Sequence, residues 1–532
     1  MTSLTLTALG LLALLYSIHQ YRTRKKLLLP PGPKPWPIIG NIKDLPPKGI
    51  PEFQHWLKHR TLYGPITSIT IMGQTIVAVH DKQIAFQLLE KHSIKSSDRP
   101  RMEFAFTLCR FDDFVSSRYD HGCRRRRRLL EQQLCTTSSR TQFDEIQAVE
   151  VRRLLLRLMN QPTALTECLR ATAGSTLLRL IYGYSIGMNN NDPLIDLMER
   201  VSNNMALAAV PLAWMVDAVP ALKYLPAGFP GAGFKDTAKK WREVNRAVAD
   251  IPYLFTRRQM DAGTYRPCYV SKSVQDLSGD SGPSSLSGEN EHDIKYTAAM
   301  MFLGGTATTV ITLKTFVWAM VMFPDVQRKA QVEIDTVIGP DRLPQVKDRG
   351  RLPYIEGIVK ETLRMSPATP LGFAHTTCED ISYDKYDIPK GAIVFASLWW
   401  LSHDPDIYAE PSRFDPERYR EPRNEPDPKA VAFGFGRRKC PGRYVADTNV
   451  FLVVAQMLAT FNINKAVDRF GVALDAEFKV RPGALGHVVD FPCEIVPRSE
   501  EMLRLVRGDG VKDFEDEGDS SKIRDGFDTL LG

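Results

Sequence analysis

The segment Phe433–Gly442 places a single cysteine in a run of glycines and basic residues, and it constrains the fold of this chain more than any other feature. Its glycines let the backbone fold tightly around the sulfur of Cys440, which bulkier side chains would prevent. The three basic residues before Cys440, and a helix predicted from about Arg443, place positive charge near the sulfur and favour a thiolate. A Gly-rich turn around one cysteine usually holds an inert buried thiol. The complete ten-residue pattern instead predicts a thiolate that binds a metal.

This pattern resembles the haem-binding loop of the cytochrome P-450 family, Phe-x-x-Gly-x-x-x-Cys-x-Gly, which the chain matches at Phe433, Gly436, Cys440 and Gly442. The resemblance implies that Cys440 is the axial ligand of the haem iron and that haem b (iron protoporphyrin IX) is the cofactor. It also implies that Arg438 pairs with a haem propionate. The resemblance extends over roughly residues 31–498 and is greatest with fungal microsomal members, many of which act in secondary metabolism.

Two further motifs follow in the order typical of the family. Glu361 and Arg364 lie on a predicted helix, and a spacing of three residues puts both side chains on one face. Such a pair alone usually means a surface ion pair. Downstream, Phe414–Tyr419 resembles the family's Pro-Glu-Arg-Phe segment. The resemblance implies that Glu361, Arg364 and Arg418 form a buried triad, in which two guanidinium groups bind one carboxylate. The implied role of this triad is structural and not catalytic.

A long apolar helix, predicted over residues 296–322, contains the sequence Gly-Gly-Thr-Ala-Thr-Thr, which resembles the oxygen-binding helix of the family. Gly304 and Gly305 weaken a helix locally and permit a kink. The resemblance implies that Thr308 is the catalytic residue, which hydrogen-bonds to dioxygen and helps to deliver protons. Thr309 matches the second threonine of the signature. The alternative is a core helix whose small residues only allow tight packing.

The chain departs from the family pattern at two positions. Ala307 stands where the family usually has an acidic residue that feeds protons to the threonine. Cys123 stands where a tryptophan is usual, and a thiol is a poor replacement for an indole N–H donor. By resemblance, Arg127 and His375 contact the haem propionates. A lone histidine is more often a structural residue, and this alternative stays open for His375.

The chain has 532 residues, of which 43% are hydrophobic and 25% charged, so it can bury a large core. Much of the net charge of +7 sits in three runs, Arg22–Lys26, Arg124–Arg128 and Arg437–Lys439. None of these runs lies in a nucleic-acid-binding motif, and we expect no nucleic-acid partner. A basic run is often just a solvated face. The last two runs would also suit the docking of an acidic flavoprotein reductase.

The cysteines argue against a zinc site and against a disulfide-stapled secreted fold. No two of them form a Cys-x-x-Cys pair, and eight in a chain of this length is sparse. A reducing compartment fits this usage better. The eight are Cys109, Cys123, Cys135, Cys168, Cys268, Cys378, Cys440 and Cys493.

The amino terminus predicts a membrane anchor. Residues 3–21 are rich in leucine and just long enough to cross a bilayer as one helix, and the basic run after them should stay cytosolic. A buried amphipathic helix is the alternative, but the apolar residues surround this helix on all sides. We therefore expect a transmembrane signal anchor at 3–21, a basic and Pro-rich hinge at 22–50, a haem-thiolate catalytic domain at 51–498 and a charged tail of unassigned function at 499–532.

The expected fold is mainly α with small β-sheets, the cytochrome P-450 fold, preceded by a single N-terminal transmembrane helix. A strand pair is predicted at Ile66–Ile71 and Thr75–Val79. The resemblance implies an endoplasmic reticulum membrane protein, single-pass, with a cytosolic catalytic domain.

The resemblance further implies an oxidoreductase, a haem-thiolate monooxygenase that inserts one atom of O2 into an apolar small molecule. Its electrons would come from NADPH through a separate NADPH-cytochrome P-450 reductase, with cytochrome b5 as an alternative donor. Two other functions stay open. An oxygen-independent isomerase or dehydratase on the same fold is favoured slightly by Ala307, and a degenerate haem-binding protein is suggested by Ala307 and Cys123 together. The sequence does not identify the substrate.

Overall fold

The computed structural model describes residues 27–111, 118–134, 137–188, 192–208, 213–279, 282, 285–508 and 517–524. The anchor expected at 3–21 and the basic run Arg22–Lys26 lie outside the described residues, as does Cys135. The placement of the chain across a membrane therefore stays a prediction.

Helices dominate the described chain, and short strands form small sheets, so the predicted mainly α fold with small β-sheets is confirmed. The helices are α1 (Glu52–Tyr63), α2 (Lys82–Phe86), α3 (Ser93–Ser96), α4 (His121–Leu134), α5 (Thr137–Asn160), α6 (Leu165–Tyr182), α7 (Pro193–Ala208), α8 (Met215–Ala218), α9 (Phe234–Asp261), α10 (Tyr269–Ser278), α11 (Gly288–Met322), α12 (Pro324–Val337), α13 (Pro353–Met365), α14 (Leu398–His403), α15 (Lys429–Ala432), α16 (Arg443–Thr460) and α17 (Glu500–Arg507). The strands are β1 (Ile66–Ile71), β2 (Gln74–Val79), β3 (His375–Thr376), β4 (Ile381–Tyr383), β5 (Tyr386–Ile388), β6 (Ile393–Ala396), β7 (Phe461–Lys465) and β8 (Cys493–Pro497).

Helix α11 runs through the middle of the fold. The hydroxyl of Ser287 caps its first turn by accepting a hydrogen bond from the Asn290 N–H at 3.2 Å, and the helix ends before Pro324, which opens α12. Its first half contributes Phe302 to one hydrophobic core and its second half contributes Phe316 to another. The helix packs against α6, α13 and α16, and in this way it ties the two cores together.

Among the described helices, α11 is the one that is long and apolar enough to cross a bilayer by length and composition. However, 61% of its most apolar window is buried inside the protein. Such burial is typical of the core helix of a globular domain.

The largest sheet has the strand order β1-β2-β6-β3. Strands β1 and β2 are antiparallel, with Ile66 opposite Val79, which confirms the predicted strand pair. Strand β6 runs parallel to β2, and β3 adds His375 at the sheet edge opposite Val394. Two further pairs, β4 with β5 and β7 with β8, are separate antiparallel ribbons.

The charged tail docks on the body of the protein through residues 517–524. Asp519 is almost fully buried, and its carboxylate accepts hydrogen bonds from the Ser185 N–H at 2.9 Å, Arg266 at 2.6 Å and Lys522 at 2.7 Å. The Asp519 N–H donates in return to the Ser185 carbonyl at 2.8 Å. Ile523 is buried in the same hydrophobic core as the first half of α11. The tail therefore fixes the segment that follows α6.

We expect Asp519→Ala to lower the free energy of unfolding by about 1–3 kcal/mol, because a buried acceptor of three hydrogen bonds is lost. The thermal midpoint should fall, and the Ser185 amide should exchange its hydrogen faster in mass spectrometry. Glu517→Ala is the matched control, since Glu517 is exposed two residues away. An equal midpoint and equal exchange in the two variants would contradict a fixing role for Asp519.

Candidate active site

The loop that carries Cys440 lies between α15 and α16. The Cys440 N–H donates to the Phe433 carbonyl at 2.9 Å and closes the loop. Gly434 and Gly436 have φ values of 76° and 53°, a region that disfavours residues with a side chain. A Cβ atom on Gly436 would also lie 2.3 Å from the Leu89 carbonyl oxygen. The backbone therefore favours glycine at both positions, and Gly436 is also needed for the loop to pack against the short helical segment Gln87–Lys91 after α2.

Opposing effects act on the pKa of the Cys440 thiol. Burial raises its pKa, whereas the Gly442 N–H and the positive charges of Arg127 and Arg443 lower it. Arg443 also donates to the Cys440 carbonyl at 3.1 Å, and Arg127 donates to the Lys439 carbonyl at 2.6 Å. Because burial is the largest effect, the protein alone leaves the pKa raised, and a bound metal ion would be needed to complete deprotonation.

One four-residue segment, Ser96–Arg99, holds the positively charged groups beside the loop. The Ser97 carbonyl accepts a hydrogen bond from Arg438 Nε at 2.8 Å, and the Ser96 carbonyl lies 2.7 Å from His375 Nδ1. Arg99 extends from the same segment and donates to the Phe373 and Ala374 carbonyls at 2.9 and 2.7 Å. These contacts join chain segments about 280 to 340 residues apart.

Arg99, Arg127 and Arg438 form a positive cluster beside the loop, in which Arg99 is buried, and His375 lies against it. Burial, and then the charges of Arg438 and Arg127, lower the pKa of Arg99 to about 9. Burial, followed by the charge of Arg99, lowers the pKa of His375 to about 3. Asp98 offsets only part of this repulsion, and Arg99 Nε has no hydrogen-bond partner among the described residues. Buried cations in this arrangement favour an anionic ligand such as a carboxylate.

Only part of the arginine run on α4 belongs to this cluster. Arg127 faces the cysteine loop, where it donates to the Lys439 carbonyl, and its contact with a haem propionate stays a prediction. Arg125 instead forms ion pairs with Glu289 and Asp293 at the start of α11, and Arg126 lies 3.5 Å from Asp293. The free basic surface is therefore smaller than the five-arginine run suggested.

Residues 304–310 of α11 have a different environment from the residues that follow them. Residues 311–321 are buried, whereas residues 304–310 retain accessible surface, apart from Thr306. A Cβ atom on Gly304 would meet no described atom within 4 Å. The Thr308 hydroxyl points along the helix and donates to the Gly304 carbonyl at 2.7 Å. Thr309 is half-buried in the same open stretch.

Gly305 has a different role from its neighbour. A Cβ atom there would lie 2.8 Å from Leu177 Cδ1 on α6. The assigned helix continues through both glycines. Close packing against α6 therefore accounts for Gly305, whereas the space beside Gly304 is where a flat ligand could approach the helix.

Glu361 binds two arginines in the interior. Its carboxylate accepts from Arg364 Nε and Nη2, both at 2.8 Å, and from Arg418 Nε at 3.0 Å. The side chains of all three are fully buried. Tyr419 donates its hydroxyl at 2.8 Å and the Asp415 N–H donates at 2.9 Å, two contacts that the sequence motif did not predict. The remaining N–H groups of both arginines donate to backbone carbonyls of residues 402–413 and to Glu425.

Comparison with known proteins identifies this arrangement. The family model described as cytochrome P-450 matches residues 30–469. The chain is 44% identical to cytochrome P-450 monooxygenase CLM2 of Gibberella zeae, over 95% of this chain and 96% of that protein. It is 42% identical to the multifunctional cytochrome P-450 monooxygenase af510 of Aspergillus fumigatus, with 95% of each covered. It is 35% identical to O-methylsterigmatocystin oxidoreductase of Aspergillus flavus, with 90% of each covered.

The chain belongs to the cytochrome P-450 family. It is an oxidoreductase of the monooxygenase class, and its cofactor is haem b. The residues present fit that cofactor. The open stretch at Gly304 suits the flat ring of the haem. The loop around Cys440 suits an iron ligand, and Arg99 Nε, which has no hydrogen-bond partner among the described residues, suits a propionate.

Sequence reasoning missed Arg99 and the segment that carries it. Nothing in the spacing of Ser96–Arg99 marks it as functional, because its partners lie in β3 and in the cysteine loop. The arginine itself could have indicated a functional site. An arginine beside a proline, between two helical stretches, can be buried only if backbone carbonyls or an anion receive its N–H groups.

We expect Glu361→Gln to prevent stable folding or to cost about 3–5 kcal/mol, because the buried guanidinium of Arg364 loses its carboxylate partner and that of Arg418 keeps only Glu425. The measurement is the yield of folded, haem-containing protein and its unfolding midpoint. Glu410→Gln is the matched control, since Glu410 pairs with Arg413 at 3.3 Å and is 72% exposed. A Glu361→Gln variant as stable as the control would show that the triad is dispensable.

Proposed function

We propose that Cys440 is the axial ligand of the haem iron and that the enzyme hydroxylates an apolar small molecule with one atom of O2. Electrons would come from NADPH through a separate reductase, with cytochrome b5 as an alternative donor. The observation that carries this proposal is the closed loop around Cys440, with the Gly442 N–H and two arginines near the sulfur. When bound, the thiolate-ligated haem supplies the chemistry that activates O2.

The protein's part is to hold the cofactor and exclude competing reactions. We infer that Arg438, Arg127 and Arg99 bind the propionates, because their charges lie close together and the Nε of the buried Arg99 has no hydrogen-bond partner among the described residues. His375 is neutral, since its pKa is lowered to about 3, so it would act through a hydrogen bond and not through charge. Phe433 closes the loop through its carbonyl, and Gly436 allows the loop to pack. The triad of Glu361, Arg364 and Arg418 would anchor the chain that precedes this loop.

We further propose that Thr308 is the catalytic residue. Its Oγ1 lies in the open stretch of α11, and its proton is held by the Gly304 carbonyl. Rotation of the hydroxyl away from that carbonyl would let it hand a proton to a reactant beside Gly304. Ala307 supplies no acid to renew this proton. Water, or the hydroxyls of Thr306 and Thr309, would have to do so.

The substrate class is inferred from the relatives. The similar proteins are fungal monooxygenases, and one of them is named for O-methylsterigmatocystin. We propose a role in fungal secondary metabolism, with a terpenoid, steroid or polyketide as substrate. The reductase would dock near the cysteine loop, where Arg124, Arg128 and Arg437 are exposed. The proposed location is the endoplasmic reticulum membrane, anchored once, with the catalytic domain in the cytosol.

An oxygen-independent isomerase or dehydratase remains the second candidate, because Ala307 removes the usual acidic proton donor. Strict dependence of turnover on NADPH and O2 separates the two. A haem-binding protein without activity is the third candidate, suggested by Cys123 and Ala307.

The test of the iron ligand is the carbon monoxide difference spectrum of the dithionite-reduced protein in its membranes. We expect the red-shifted Soret band that gives the family its name, and its loss in Cys440→His, because imidazole replaces the thiolate. Cys378→Ser is the matched control, since Cys378 is exposed and should leave the band unchanged. A shorter-wavelength band in the folded wild-type protein, or no haem band, would favour the inactive haem binder.

The test of Thr308 uses a compound that shifts the haem absorption in a screen of terpenoids, steroids and polyketides. Thr308→Val should bind it normally but form at least about tenfold less product per NADPH consumed, because the hydroxyl that passes the proton is gone. Thr315→Val is the matched control. Its hydroxyl makes the same kind of bond, to the Ile311 carbonyl at 2.9 Å, but is fully buried on the same helix. Equal coupling in both variants would rule out Thr308 as the proton carrier.

A further inference from the structure

Tyr119 lies at the meeting point of three arginines. Its ring centroid is 5.5 Å from the guanidinium carbon of Arg438, 5.8 Å from that of Arg437 and 5.9 Å from that of Arg124. Its hydroxyl accepts a hydrogen bond from Arg437 Nη1 at 3.1 Å. Its own N–H donates to the Asp98 carboxylate at 3.1 Å. The ring and the hydroxyl of Tyr119 therefore contact arginines, and its backbone N–H contacts Asp98.

The position of the ring has an energetic reason. Arg438, Arg437 and Arg124 repel one another, and a ring within about 6 Å of a guanidinium attracts it through its negative face. Arg438 is the half-buried one of the three, with Arg437 and Arg124 exposed. A half-buried guanidinium is less screened by water, so the ring contributes most to the orientation of Arg438. The Ser97 carbonyl fixes the same side chain from the other side, at 2.8 Å from Nε.

Cys123 follows Tyr119 by four residues and is buried at the same end of α4. Cys123 is among the groups that act on the pKa of both Arg99 and Arg438, so it lies close to the positive cluster. A thiol offers neither an aromatic face nor a strong N–H donor. Tyr119 provides an aromatic face against Arg438.

We propose that Tyr119 is a positioning residue, which holds Arg438 through its ring and Arg437 through its hydroxyl so that Arg438 can bind a haem propionate. This inference rests on the proposed role of Arg438. Tyr119 itself touches the arginines and Asp98, and it acts on the haem only through them.

The experiment measures the rate of haem loss from the full-length holoprotein to an excess of apomyoglobin. Tyr119→Leu should lose haem about tenfold faster than wild type, because the ring contacts are removed. Tyr119→Phe keeps the ring and should lie within about threefold of wild type. Phe470→Leu is the matched control, since Phe470 is an exposed ring 4.7 Å from the Arg469 guanidinium in a distant loop, and should not change the rate.

A double-mutant cycle separates positioning from general stability. If Tyr119 acts through Arg438, Tyr119→Leu should have no further effect on haem loss in an Arg438→Ala background. Retention of the red-shifted carbon monoxide band in Tyr119→Leu shows that the protein folds and keeps its thiolate ligand. Effects that multiply in the double variant, or an unchanged rate in Tyr119→Leu, would overturn the inference.

The same data distinguish this inference from the proposed function. If Arg438→Ala loses haem faster and Tyr119→Leu does not, only the role of Tyr119 fails. If Arg438→Ala itself leaves the rate of haem loss unchanged, the proposed propionate site fails, and with it the basis for Tyr119.

Discussion

The carboxylate of Glu361 is the interaction on which the rest of the catalytic side depends. It is the acidic partner of two fully buried guanidinium groups, and those groups in turn bind the carbonyls of a chain segment that has little regular structure. Residues 404–428 contain mostly turns, so backbone ladders cannot hold them. The arginines replace those ladders, because each planar guanidinium offers five donors in a fixed geometry. The segment then leads through α15 directly into the loop that carries Cys440.

Around that loop, in contrast, positively charged side chains lie close to one another. Arg99, Arg127 and Arg438 approach one another, and burial together with the charges of the other two arginines lowers the pKa of Arg99 to about 9. A bound anion would stabilise such a cluster. The buried network around Glu361 thus has its carboxylate and its guanidinium groups paired within the protein, whereas the arginines around the cysteine loop are arranged to receive an anionic group such as a propionate.

Local sequence patterns predicted the parts of the site whose residues are close in the chain. The loop around Cys440, the pair of Glu361 and Arg364 and the apolar helix with Thr308 could each be found because the spacing itself defines the geometry. Arg99 and Tyr119 could not, since their roles come from contacts with Phe373, just before β3, and with the cysteine loop. Gly305 could be recognised as special but not interpreted, because the reason is Leu177 on a different helix. The docking of Asp519 was likewise hidden in a tail that looked merely charged.

The two departures from the family pattern have different physical consequences. At Cys123, the replacement of the usual tryptophan removes side-chain contacts, and neighbouring side chains can provide such contacts instead. At Ala307 the loss is one of chemistry, because a hydroxyl is a much weaker acid than a carboxyl group. The hydroxyls of Thr306, Thr308 and Thr312 all donate to carbonyls of their own helix, so each must break a hydrogen bond before it can donate elsewhere. Renewal of the proton that Thr308 passes on would therefore depend on water that enters the open stretch beside Gly304, or on the hydroxyls of Thr306 and Thr309, and this renewal would limit how efficiently oxygen chemistry is coupled to product.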